Sequence, residues 1–192
     1  MPLPAFIPMS EKNAIASLGY WLQQNIVQPG EQFVNTTYEQ AQGPFPVFAY
    51  TQRPLPDLGS KFFDDNMGNG GGYLGPLQFG SIHQFMVEFN LIAALTDSVR
   101  NAQQYVYQMR ERLHYGLYWA GEFSGNTLVM PNIPLLNFDD KNSPHSITGG
   151  YLWWPCEEDN TWMESPLLVD NADPQKKRIQ IMVRIRYTSI HP

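Results

Sequence analysis

The segment Arg178-Ile-Gln-Ile-Met-Val-Arg-Ile-Arg-Tyr187 alternates between side chains that suit a protein core and side chains that suit water. Every odd position is apolar, and every even position except Met182 is polar or charged. Because successive side chains of a β-strand point to opposite faces of its sheet, this pattern predicts a strand with one buried face. The turn-forming residues 173–177 precede it, so we expect a long final strand.

A second alternating run covers residues 84–91, where Phe85, Val87, Phe89 and Leu91 occupy one face. It predicts another strand with a buried side. Behind it, Thr96 or Asp97 is the expected N-cap of an amphipathic helix that ends at Gly116. The expected core positions of this helix share the spacing of one helical face: Val99, Ala102, Val106, Met109 and Leu113.

The first third of the chain predicts a helix and a strand. Ser10 is a plausible N-cap, and a stripe of apolar residues follows at spacings of three and four before Pro29 and Gly30 end the helix. Residues 31–43 are polar. Residues 45–52 then read as a strand that prolines flank, which is typical of a sheet edge or a strand end.

These elements predict an α+β fold in which a mixed or antiparallel sheet packs against two helices and carries long loops. Further short strands are expected near residues 127–130, 150–154 and 162–165. We expect one domain over residues 1–192. Its two excursions are a glycine-rich loop at about 54–80 and a tryptophan-rich loop or strand insertion at about 140–170.

Composition and charge exclude several classes of protein. The chain has 192 residues, 43% of them hydrophobic, with 12 basic and 18 acidic side chains, so its formal charge is −6. This balance argues against a surface that grips nucleic acid, although DNA could still pass close to it. The single cysteine, Cys156, predicts no internal disulfide. We also expect neither a signal peptide nor a membrane-spanning segment.

Patterns of catalytic or metal-binding residues are weak. The four histidines show no ligand spacing, and the acidic clusters 64–65, 139–140 and 157–159 lack the spacing of a calcium loop. A Gly-x-Ser-x-Gly motif is absent, and no Lys-Ser or Lys-Thr follows the glycine-rich loop. We therefore expect no enzyme, no metal and no cofactor. A hydrolase whose carboxylates meet only on folding stays open as an alternative.

Candidate contact residues come from the two alternating strands and the tryptophan-rich region. Arg178, Arg184 and Arg186 share the polar face of the final strand, and Glu88 could meet one of them if the two strands pair. Such charges could protect an exposed sheet face or form a salt bridge between subunits. Trp153 and Trp162 could pack in the core or at a subunit contact, or could stack on sugar.

The order of elements resembles that of tail terminator, or tail completion, proteins of long-tailed bacteriophages. The resemblance rests on the segment PFPVFAY (residues 44–50), on HQFMVEFNLIAALTDSVRNAQQYVYQMRERLHYGL (83–117) and on the closing RIQIMVRIRYTSI (178–190). It covers most of the chain. The chain departs from the family in being longer than many members, with the excess in the glycine-rich and tryptophan-rich regions.

The resemblance implies a structural protein, in a ring that is commonly hexameric, which caps the tail tube and stops its growth. Its expected partners are other copies of itself, the tail tube protein and the head connector or stopper protein, while DNA only passes through the lumen. Its expected location is the neck of the virion, after assembly in the bacterial cytoplasm. Asp64 and Asp65 could face the lumen. Alternatives are another neck or connector component, or an aromatic-rich carbohydrate-binding module.

Overall fold

A computed structural model describes residues 10–53, 79–94, 101–124, 127–131, 133–138, 145–169, 173 and 175–191. Its helices are α1 (Ser10–Asn25) and α2 (Ala102–Trp119). Its strands, in chain order, are β1 (Gln32–Asn35), β2 (Val47–Arg53), β3 (Phe79–Ala93), β4 (Gly121–Ser124), β5 (Thr127–Pro131), β6 (Ile133–Asn137), β7 (His145–Trp153), β8 (Trp162–Glu164), β9 (Leu168–Val169) and β10 (Lys177–His191).

Eight of the described strands form one mixed sheet, and its order is β1-β2-β3-β10-β7-β6. β8 and β9 pair with β10 beside this path, while β4 and β5 form a separate two-stranded ribbon. β1 and β2 are parallel, and the other pairs are antiparallel. With the two helices, the sheet gives the α+β fold that the sequence predicted.

The two alternating strands are adjacent at the centre of the sheet. Val183 lies opposite Val87, and Ile181 lies opposite Phe89. These residues and the other alternating apolar positions, Phe85, Leu91, Ile179, Ile185 and Tyr187, are buried in one cluster with apolar side chains of α1 and α2. Burial of this face against the helices is the main apolar contribution to the fold, because burying one such side chain stabilises a protein by about 1.5–3 kcal/mol.

The ends of α2 differ from the sequence prediction. Thr96, Asp97 and Val99 lie outside the described residues, and the cap that the structure shows is Asn101, whose side chain accepts a hydrogen bond from the Gln103 amide at 3.0 Å. Gly116 does not end the helix, which runs on to Trp119. A Cβ at Gly116 would lie 2.0 Å from Ile26 Cδ1, so this glycine permits the close approach of α1.

Two further details of the sheet correct the prediction. β2 lies between β1 and β3, so it is not an edge strand, although it ends at Arg53, next to Pro54. β1 lies in the polar stretch that had predicted no strand. The tryptophan-rich region contributes β7, β8 and β9 to the main sheet, whereas residues 54–78 of the glycine-rich loop lie outside the described part of the chain.

Candidate subunit interface

Glu88 pairs within the chain, and the arginine that it meets was not among those expected. Its carboxylate is buried and accepts hydrogen bonds from Arg53 Nε at 2.6 Å and Asn90 Nδ2 at 2.8 Å. In the ladder, Glu88 lies opposite Met182 of β10 and Thr51 of β2. The prediction of an arginine from the closing strand was therefore wrong, because the arginine comes from the strand on the other side of β3.

The pKa of Glu88 reflects this pairing. Burial raises the pKa of the carboxyl group, but the hydrogen bonds from Arg53 and Asn90 and the charge of Arg53 lower it by more. The net pKa lies below its ordinary value, so Glu88 is ionised at neutral pH. The buried, paired carboxylate links β3 to β2, and only 4% of the Glu88 side chain is exposed for contact with another subunit.

The arginines of the closing strand also have partners within the chain. Arg186 forms a two-pronged pair with Glu158, with distances of 2.7 Å from Nη1 to Oε1 and 2.9 Å from Nη2 to Oε2. Arg184 Nη1 lies 3.9 Å from the same carboxylate. Arg178 is half-buried and lies between Ile92 and Leu168 in the sheet. Glu158, in the segment between β7 and β8, therefore pairs with the two arginines nearest the end of β10. A role of the three arginines between subunits stays a prediction.

The tryptophans are part of a packed aromatic cluster. The rings of Trp162 and Trp154 lie 5.2 Å apart with an angle of 46° between their planes, and each contacts the imidazole of His114 edge-on. Burial, together with the charge of Arg110, lowers the pKa of His114, so the imidazole is neutral at neutral pH. Because Trp162 is half-buried against these rings, packing accounts for it, while Trp153 is half-buried at the end of β7.

An ion pair ties this cluster to α2. Arg110 Nε donates to Glu164 Oε2 at 2.9 Å, and Trp162 Nε1 donates to the same oxygen at 3.2 Å. The cluster therefore joins α2 to β8. Trp162 and Trp153 are both half-buried, and the described contacts of Trp162 are with other aromatic rings and Glu164, so sugar stacking by these tryptophans stays a prediction.

The outer face of α2 carries exposed aromatic side chains that the sequence reasoning missed. Tyr107, Tyr115 and Trp119 are 42%, 56% and 72% exposed, respectively. They lie at intervals of eight and four residues, so they follow one side of the helix away from the core positions Val106, Met109 and Leu113. Extending the helical pattern to the residues opposite the core would have revealed this row.

A shallow groove of about 790 Å³ lies along the first half of α2. Amide side chains dominate its lining, which includes Gln28, Asn101, Gln104 and Gln108. Glu31 contacts two of the lining residues: its fully buried carboxylate accepts hydrogen bonds from the Gln28 backbone amide at 2.8 Å and from Arg112, and it also accepts one from Tyr105 Oη at 3.0 Å. The turn that precedes β1 is therefore held firmly against α2.

Tyrosine and tryptophan are enriched at protein–protein contacts because they bury a large area while keeping a polar group available. The outer face of α2 combines these residues with amide side chains and with the exposed carboxylate of Glu111, which pairs with Arg110. This surface, defined by Tyr107, Tyr115 and Trp119, is here called the aromatic row. It is the candidate interface that the described residues support best.

The remaining expectations concern residues or groups for which the structure gives no geometry. Asp64 and Asp65 lie outside the described residues, so their position in a lumen stays a prediction. Within the described ranges, no three His, Cys, Asp or Glu side chains are placed to hold a metal ion. None of the helices in those ranges has the length and hydropathy needed to cross a bilayer.

The chain matches no protein-family model and no curated protein.

Proposed function

We propose that this chain is a structural protein of a long-tailed bacteriophage, whose copies form a ring that caps the tail tube. The ring, expected to be a hexamer, ends tube growth and offers its free side to the head connector. The observation that carries the proposal is the aromatic row of α2, a contact surface on a rigid helix that the central strands hold in place.

The chemistry of this surface suits assembly better than catalysis. Ring closure needs two different surfaces of one subunit that fit each other, and exposed aromatic rings on a well-packed helix lose little conformational entropy when they are buried. Tyr107, Tyr115 and Trp119 belong to a helix whose inner face is fully buried, so the row is presented in a fixed geometry. The proposed position at the end of the tail tube rests on the resemblance of the sequence to tail terminators.

The experiment combines the purified full-length protein with tail tubes that lack a cap, and images both by negative-stain electron microscopy. Rings at one end of each tube, and tubes that no longer elongate when tube protein is added, are the expected result. Binding to the head connector but not to tubes would instead indicate another neck component. A protein that stays monomeric and ignores both partners would overturn the proposal.

A further inference from the structure

The two edges of the main sheet are built differently. At the β6 edge, α1 supplies side chains that satisfy the outward backbone groups: Ser17 Oγ accepts from the Leu136 amide at 2.8 Å, and Asn13 Oδ1 accepts from the Phe138 amide at 3.0 Å. Both polar side chains are buried. Pro134 in the same strand has no amide hydrogen to donate. This edge is therefore closed to a further strand.

The opposite edge, β1, has no such cover from the described strands. The Gln32 amide donates to the Pro46 carbonyl, directly before β2, and the Thr36 amide donates to the Tyr50 carbonyl in β2, at 2.9 Å each. The alternation of a strand therefore turns the amides of Phe33 and Asn35 away from β2. β1 carries no charged residue and no proline, which are the usual protections of a sheet edge. It offers a short row of hydrogen-bonding groups to another strand.

The ribbon of β4 and β5 is a second β element, separate from the main sheet in its strand pairing. Its strands pair only with each other among the described strands, and two-stranded ribbons are at best marginally stable alone. The ribbon begins directly after α2, next to Trp119 at the end of the aromatic row. β4 has four residues, the same number as β1.

We propose that the β4–β5 ribbon of one copy adds to the open edge of β1 in the next copy, so that the sheet continues across the subunit boundary. This inference rests on the proposed assembly of copies and specifies its contact. A second copy is the occupant that the chain itself supports, because in the part of the chain that the structure describes β1 has a neighbouring strand on one side only and the four-residue β4 pairs only with β5. The other edge of the sheet is closed.

The positions of the two elements fit a ring. Glu31, directly before β1, is bonded to Tyr105 in the first turn of α2, whereas the ribbon leaves the far end of that helix. The 15 residue-to-residue steps from Tyr105 to Ala120 span about 22 Å of helix axis. The ribbon and the edge of β1 are thus different surfaces of one subunit. A contact between two different surfaces repeats head to tail from copy to copy until the ring closes. Short strands suffice because every subunit in a closed ring is held twice.

The first test places a photo-crosslinking amino acid at the exposed Asn35 in β1 of the full-length protein. After assembly and irradiation, mass spectrometry should identify crosslinks between chains that end within residues 121–131. The matched control carries the same group at the exposed Asn160, in the segment between β7 and β8, and should not label that ribbon. Crosslinks from position 35 that consistently end elsewhere would overturn the inference.

The second test uses two variants that are each defective on one side. Asn35→Pro removes an outward amide of β1, and the double substitution Glu122→Pro with Phe123→Pro disrupts β4. Each variant alone should lose ring formation in analytical ultracentrifugation, with the far-UV circular dichroism of the main sheet retained. Mixed together, the two variants have only one intact pair of surfaces between them, so they should form no species larger than a dimer with one copy of each. Rings in either variant alone, or species larger than a dimer in the mixture of folded variants, would contradict the inference.

These outcomes separate the contact from the proposed function. If the Asn35→Pro variant and the Glu122→Pro, Phe123→Pro variant each still form rings that cap tubes, the proposed function would stand and strand addition would be refuted. Rings that depend on β1 and the ribbon but never bind a tube would refute the function and support strand addition. A protein that is monomeric with and without tubes would refute both.

Discussion

The two members of the Arg53–Glu88 ion pair differ in burial, so removing one should cost more stability than removing the other. The side chain of Glu88 is 4% exposed, whereas that of Arg53 is 42% exposed. Arg53→Ala would leave a buried carboxylate without its cation, and we expect it to lower the free energy of unfolding by about 2–3 kcal/mol at pH 7. Glu88→Gln leaves an arginine that water can still solvate, and should cost about 1 kcal/mol. Urea denaturation of both variants measures the difference.

The same pair has a pH dependence of defined sign. In the parent protein the pKa of Glu88 lies below its ordinary value of 4.5, so its stabilisation is present above pH 4.5 and is lost as the pH falls through the lower, folded value. In Arg53→Ala, burial should raise the pKa of Glu88 above 4.5, and this group should then favour folding more as the pH falls towards 4.5. Unfolding free energies between pH 3.5 and about 6.5, taken relative to Glu88→Gln, report this reversal. Parallel curves would contradict it.

Gly116 was predicted to end α2, but in the structure it lies within the helix and leaves room for the Ile26 side chain. Gly116→Ala should gain about 1 kcal/mol of helix propensity but must displace Ile26, which is buried. We expect a net loss of about 1 kcal/mol in the parent protein. In an Ile26→Val background, where the obstructing methyl group is gone, the same substitution should be neutral or stabilising. Thermal unfolding of the four proteins gives the coupling, and additive effects would exclude the clash.

At the scale of elements, α1 protects an edge strand as well as filling the core. Ser17→Ala would leave the Leu136 amide without an acceptor in a buried position, so we expect a loss of about 1–3 kcal/mol in unfolding free energy. Hydrogen exchange of that amide should accelerate. Gln23→Ala, at an exposed position of the same helix, is the control and should change stability by less than about 0.5 kcal/mol. Equal effects of the two substitutions would contradict a sealing role for Ser17.

The elements that sequence predicts best are those whose pattern is long and local. The alternation in residues 84–91 and 178–187 located β3 and β10, because eight to ten residues of period two are typical of a strand with one buried face, and the structure shows that the two strands pair. β1 was missed because four residues show no period and their parallel partner lies fifteen positions away. The partner of Glu88 depends on strand order, which hydrophobic periodicity does not encode.

In the whole molecule, the side chains available for contact with a partner are those on helix faces that do not pack against the sheet. The aromatic row could have been predicted, because Tyr107, Tyr115 and Trp119 lie opposite the core positions that the sequence had already assigned to α2. The partners of Arg184 and Arg186 could not, because Glu158 reaches them from a segment whose path only the folded chain reveals. Arg184 and Arg186, which looked like contacts, pair within the chain, whereas the outer face of α2 exposes aromatic and amide side chains beside Glu111.

If the aromatic row serves assembly, folding and association should respond differently to its removal. Replacing both Tyr115 and Trp119 with serine deletes rings that are more than half exposed, so the free energy of unfolding of the monomer should change by less than about 1 kcal/mol. Association should weaken far more, because buried aromatic anchors at an interface are worth about 2 kcal/mol or more each, or roughly thirtyfold in the dissociation constant. Replacing the half-buried Trp162 with serine should show the opposite order, with lower stability and a smaller direct effect on association, since that ring packs against Trp154 and His114. Sedimentation velocity over a range of concentrations, beside urea denaturation of the same samples, separates the two quantities. Unchanged sedimentation of the Tyr115 and Trp119 double variant would show that this face of α2 contacts no other copy.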